Sequence, residues 1–132
     1  MIVVDASVLS DALLDDGPVG VAAREALAVD PHWAAPAHLL VEVMSVIRGR
    51  VLGGKVSAAR ARESVVALSQ LVVDQIDLAP LVARIWHLRD NLSAYDAAYV
   101  AAAEARSVPL LTGDARLAKA SGPQCEIRLS HR

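Results

Sequence analysis

Four acidic residues, Asp5, Glu42, Asp96 and Asp114, stand where the chain around them could aim a carboxylate at a shared point. Asp5 closes the β-branched run Ile2-Val3-Val4. Asp114 follows Leu110-Leu111-Thr112-Gly113, where the glycine lets the backbone turn sharply at a strand end. Glu42 interrupts Leu39–Ile47, a stretch apolar nearly all round and so expected to be buried, where an ionised carboxylate is costly unless a cation or hydrogen bonds meet it. Asp96 ends Ser93-Ala94-Tyr95-Asp96, at the entrance to an alanine-rich helix. Oxygen-only donors of this kind favour Mg²⁺ or Mn²⁺ over zinc. Four such groups brought together repel one another and raise each other's pKa, a conflict that a divalent cation removes.

Each acid also has a plainer explanation. Asp5 and Asp114 suit the N-caps of the helices that follow them. Ser93 and Asp96 match a capping box. Glu42 fits a narrow solvent stripe with His38 and Ser45, its neighbours at helical spacing. The competing reading is therefore a non-catalytic protein-interaction module whose acids are structural caps.

The elements that must position these residues are legible in the periodicity. Ile2–Val4, Trp33–Ala35 (closed by Pro36), 72–77, Leu110–Thr112 and Glu126–Leu129 read as short strands. Helices are predicted over 6–14, 18–29, 37–52 (ending at Gly53-Gly54), 58–71 (with Ser57 as N-cap), 80–90 (opened by Pro80), 94–106 and 115–120. Short apolar strands alternating with amphipathic helices imply an α/β fold with a mostly parallel central sheet between two helical layers, a three-layer α/β/α sandwich. Ligands in such folds bind beyond the carboxyl ends of the strands, where Asp5 and Asp114 fall. No repeat or linker divides residues 1–132, which read as one domain.

Composition narrows the class. Apolar residues make up 55% of the 132, which argues against disorder, and no uncharged apolar stretch approaches the ~18 residues of a membrane span. The single Cys125 excludes an internal disulfide and a cysteine-built zinc site. The N-terminus lacks the basic flank of a secretory signal, so a cytoplasmic location is expected. Net charge is −2, yet Arg48, Arg50, Lys55, Arg60 and Arg62 fall together with no acid among them. A polyanion could meet that stretch, or it could be a solvated helix face. Aromatic residues are few, so base-stacking platforms are scarce. Tyr95 and Tyr99 share a helical face and read as core or dimer packing, and His38 as a helix-surface residue.

With these residues in place, the chain resembles the PIN-domain nucleases, and within them the VapC-type toxins of bacterial toxin–antitoxin pairs. The matching blocks are IVVDASVL (2–9), residues 36–48 around Glu42, LSAYDAAYVAAAE (92–104) and PLLTGDARL (109–117). The resemblance implies an endoribonuclease that uses Mg²⁺ or Mn²⁺, one or two ions, and activates water to hydrolyse an RNA phosphodiester. It implies an acidic set of Asp5, Glu42, Asp96 and Asp114, with Glu42 a ligand or the general base. It places Ser7 and Thr112 as supporting hydroxyls. It also implies a homodimer and a cognate antitoxin covering the groove. Arg116, beside Asp114, joins the five basic residues of 48–62 as a candidate for the RNA backbone.

Overall fold

The computed structural model describes residues 1–131. Five strands form one sheet: β1 (Ile2–Val4), β2 (Trp33–Pro36), β3 (Val73–Ile76), β4 (Leu110–Thr112) and β5 (Ile127–Leu129). Their order is β3-β2-β1-β4-β5, and all four pairings are parallel, as the alternation of strands and helices requires. The buried residues of β1 and β4, Ile2-Val3-Val4 and Leu110-Leu111-Thr112, run unbroken because both faces of the central strands are covered. α1 (Ala6–Leu14), α2 (Pro18–Ala28), α3 (Leu39–Leu52) and α4 (Ala58–Ser69) pack on one another. α5 (Val82–His87) packs on α6 (Ala94–Arg106), which lies against β1 and β2. α7 (Ala115–Lys119) sits by β4 and β5. The three-layer expectation holds. No described helix is long and apolar enough to cross a membrane.

Two elements depart from the sequence-based expectation. The helix expected over 80–90 is split into a 3₁₀ turn at Ala79–Leu81 and the short α5. Beyond α5 the backbone tightens: the Leu88 amide is shared between the Arg84 and Ile85 carbonyls and Arg89 donates to Trp86, three residues back, which ends α-helical winding. α3 is not buried as its composition suggested. Leu39, Val43 and Ile47 are fully buried in the core and Val46 and Val51 pack against it, while Leu40, Val41 and Met44 remain exposed. The helix is apolar on more faces than the described fold covers.

β1 is the reversal point of the sheet. From it the chain steps outward to β2 and β3 on one side, then returns to β4 and β5 on the other. The crevice at the carboxyl ends of β1 and β4 is where such sheets hold ligands. Val4 pairs with Leu111, so Asp5 and Thr112 emerge side by side there.

Candidate active site

Asp5 is the anchor. It is 4% exposed and caps α1, its Oδ1 accepting from the Val8 amide at 3.1 Å. The Ser7 hydroxyl donates to Oδ1 at 2.6 Å and the Thr112 hydroxyl to Oδ2 at 2.5 Å. Capping and a place in the crevice therefore coincide. Burial pushes the Asp5 pKa up to about 6 against the pull of those three hydrogen bonds, and the nearby Asp96 charge pushes the same way.

Ser7 and Thr112 bind the crevice together. Their hydroxyls lie 3.2 Å apart; Ser7 Oγ accepts from the Gly113 amide and Thr112 Oγ1 from the Asp114 amide. The loop after β4 is thus stitched to the loop after β1. Gly113 has a reason beyond turning: a Cβ there would lie 2.8 Å from Asp11 Oδ2 and 3.4 Å from Ser7 Oγ. Thr112→Val keeps the shape but removes the donor to Asp5 and the acceptor for the Asp114 amide. The expected result is a loss of ~1–3 kcal/mol in urea unfolding and a ~10–100-fold weaker divalent-cation affinity by calorimetry. Unchanged affinity would show that the hydroxyl does not orient Asp5.

Asp96 and Asp114 face one cleft with Asn91, Ser93 and Arg116. Ser93 caps α6 at the Asp96 amide, as the capping box predicts, which leaves the Asp96 carboxylate directed into the cleft. Burial raises its pKa and Asp114 raises it further. Asp114 caps α7 through the Arg116 amide and is gripped by the Arg116 side chain. Burial alone would lift its pKa, but those hydrogen bonds outweigh it and hold the group below its ordinary range.

Glu42 lies in the first turn of α3 and is half-buried. Its pKa rises to about 7, first through burial and then through the charges of Asp96 and Asp5. Its Oε1 is buried and makes no hydrogen bond. The solvent-stripe explanation fails on that atom.

His38 is not the surface residue its sequence position suggested. It sits at the N-terminal end of α3, with Nε2 buried 3.5 Å from Glu42 Oε1, and its ring packs 4.9 Å from Tyr99 and 5.9 Å from Tyr95. The signal was available, since His38 and Glu42 are four apart on one helix. The two tyrosines also part company. Tyr99 is fully buried, whereas Tyr95 is 66% exposed. Asp11, overlooked in the sequence, lies against Gly113 and 3.5 Å from Arg50. The spacing from Ser7 to Asp11, one helical turn, was the available signal.

The acids are coupled but not closed into a cage. Among the described residues, no group of three or more His, Cys, Asp or Glu converges closely enough to grip a metal ion as placed. The donor set nevertheless fits a divalent cation: all oxygen, mutually repelling, with one buried carboxylate oxygen lacking a partner. Of the basic candidates, Arg60 is committed to Asp16 and the Leu13 carbonyl, and Arg50 approaches Asp11. Arg48, Lys55 and Arg62 are exposed.

A profile of the PIN domain matches residues 2–123, nearly the whole chain. The chain is also 42% identical over 128 residues to Ribonuclease VapC1 of Mycobacterium tuberculosis, covering 96% of each. The chain belongs to the PIN-domain family, among the VapC ribonucleases. Ribonuclease VapC9 of the same organism is 39% identical over 127 residues, again covering 96% of each. Among solved structures, the PIN fold is shared with VapC20 of Mycobacterium tuberculosis, described as a sarcin–ricin loop cleaving toxin (TM-score 0.70, 17% identity, 89% of this chain and 93% of that one). A toxin–antitoxin complex from Klebsiella pneumoniae contains a chain of the same fold (TM-score 0.66, 21% identity, 100% and 99% covered). At those identities the likeness concerns the PIN fold alone.

Proposed function

We infer that this chain is an endoribonuclease that hydrolyses RNA phosphodiester bonds with a divalent cation, Mg²⁺ or Mn²⁺, and is the toxin of a toxin–antitoxin pair. The observation that carries this reading is the set of electrostatically coupled acids at the sheet's reversal point, in a chain 42% identical to a ribonuclease over almost its full length.

Asp5, Asp96 and Asp114 are the direct ligands in this reading, with Glu42 a fourth ligand or the proton acceptor. A bound cation would lower the pKa of a water and stabilise negative charge growing on the phosphate, whether one ion or two are held. The protein's part is positioning. Ser7 and Thr112 fix Asp5, the Ser93 cap fixes the turn that carries Asp96, and the Thr112 hydroxyl fixes the backbone of Asp114. Glu42, held near neutrality, is suited to take a proton at working pH. Arg116 must release Asp114 for ligation, and its 92% exposure makes that release cheap. Freed, it can meet RNA phosphate, with Arg48, Lys55 and Arg62 on the exposed surface, and with Arg50 and Arg60 insofar as their acidic partners yield.

The exposed Leu40 and Met44 of α3 support a protein partner, here a second copy or an antitoxin that covers the groove. Incubating purified protein with total RNA and Mg²⁺ or Mn²⁺ should give discrete internal cuts. EDTA should stop them and excess Mn²⁺ restore them. EDTA-resistant cleavage would contradict the metal-dependent mechanism, and Mn²⁺ titration without stoichiometric binding would favour the capping module.

A further inference from the structure

Beside the acids lies a second concavity. Its volume is about 440 Å³ and its walls are His38, Val41, Glu42, Ser45 and Tyr95, from α3 and the first turn of α6. Glu42 belongs both to this wall and to the coupled acidic set, and Tyr95 immediately precedes Asp96. Whatever fills the cavity therefore lies beside the acidic set.

Tyr95 is the exposed aromatic ring beside the acids, Trp86 being as exposed but on α5. The chain has two Trp, two Tyr and no Phe. Tyr99 is buried, Trp33 is half-buried with its Nε1 donating to Leu27 and Asp30 carbonyls, and Trp86 has Arg89 lying 4.5 Å over its ring. Tyr95 is 66% exposed, and its ring is tilted 57° to His38 rather than stacked on it. At the inner wall, His38 Nε2 and Glu42 Oε1 are buried polar atoms that find no hydrogen-bond partner in the fold.

We propose that this cavity seats one unpaired nucleobase of the RNA, flanking the scissile phosphate, with Tyr95 as its stacking face. The proposal rests on the nuclease reading and names the part of the substrate that this pocket takes. A neutral, flat base suits an apolar slot beside carboxylates, which would repel a phosphate. The flanking phosphates have cations to meet: Arg48 follows Ser45 by three residues and Val41 by seven, so it rises on the same face of α3. Val41 could instead lie under a second copy of the chain, an occupant that the test below distinguishes.

The probes are a fluorescent RNA oligonucleotide spanning a mapped cut site and versions with an abasic nucleotide at each flanking position. Tyr95→Ala should raise KM by roughly ten- to a hundredfold with a much smaller change in kcat, and Tyr95→Phe should stay near wild type. One abasic substitution should cost the wild type the same factor and cost Tyr95→Ala almost nothing further. Circular dichroism should show the Ala variant folded, since Tyr95 is exposed. An unchanged KM, or abasic and Tyr95→Ala losses that multiply independently, would overturn the base seat. So would a change in elution volume on gel filtration, which would assign the surface to a second copy. If the wild type cuts no RNA at all, the nuclease reading falls first and this one with it.

Discussion

Asp5→Asn leaves the protein folded and removes its ribonuclease activity. Asparagine caps a helix as well as aspartate does, so the bond from the Val8 amide survives. The Thr112 and Ser7 hydroxyls can rotate to meet an amide, and a buried charge that Asp96 opposes is gone. These effects offset one another, and the change in unfolding free energy should stay within about 1 kcal/mol. Cleavage should fall by at least ~10²–10³-fold, the scale of losing a group that stabilises developing charge. Single-turnover cleavage and urea unfolding on one preparation test both halves. A variant that is badly destabilised yet cleaves normally per folded molecule would mean that Asp5 is a cap and nothing more.

The second large effect is a reversed pH dependence of stability. Asp5 and Glu42 have folded-state pKa values of about 6 and about 7, above their ordinary 3.8 and 4.5. Between those limits the folded chain keeps protons that the unfolded chain has released, so stability falls as pH rises through the window. Asp11 and Asp96, also raised by burial, act in the same direction. His38 opposes them, because burial lowers its pKa and stability gained there grows with pH. Asp16, Asp30, Glu104 and Asp114 have lowered pKa values and lose their contribution only in more acidic solution. In EDTA, urea unfolding should therefore show a loss on the order of a few kcal/mol from about pH 5 to about pH 8. Glu42→Gln should flatten the slope. Added Mn²⁺ binds the deprotonated carboxylates, so its stabilisation should grow with pH and offset the loss. A stability that rises from acid to neutral pH in EDTA and ignores Mn²⁺ would contradict the coupling of these acids.

The scaffold was readable in the sequence because its signals are local. Unbroken apolar triplets at Ile2–Val4 and Leu110–Thr112 mark strands covered on both faces, and Ser57, Ser93 and Gly53 mark helix ends. The acids were readable as candidates because three of them sit at such junctions. Their coupling was not, since it depends on β1 and β4 lying side by side although more than a hundred residues separate them. The same distance hid the bond from Thr112 to Asp5, which no pattern within either strand announces. α3 misled because apolar content does not reveal which faces a single domain covers; Val41 and Met44 look like core and lie outside it. His38 misled for the opposite reason. Its polar type suggested solvent, whereas the tyrosines of α6 close over its ring.

Titrating the metal-free protein with Mn²⁺ in a calorimeter near neutral pH tests the central claim most directly. Saturable binding of one or two ions per chain is expected, weakened at least ~10–100-fold in Asp96→Asn while that variant remains folded. Heats no larger than dilution for the wild-type protein would contradict it, and would leave Asp5 and Asp114 as helix caps, and Asp96 as a first-turn acid, that happen to share one end of a sheet.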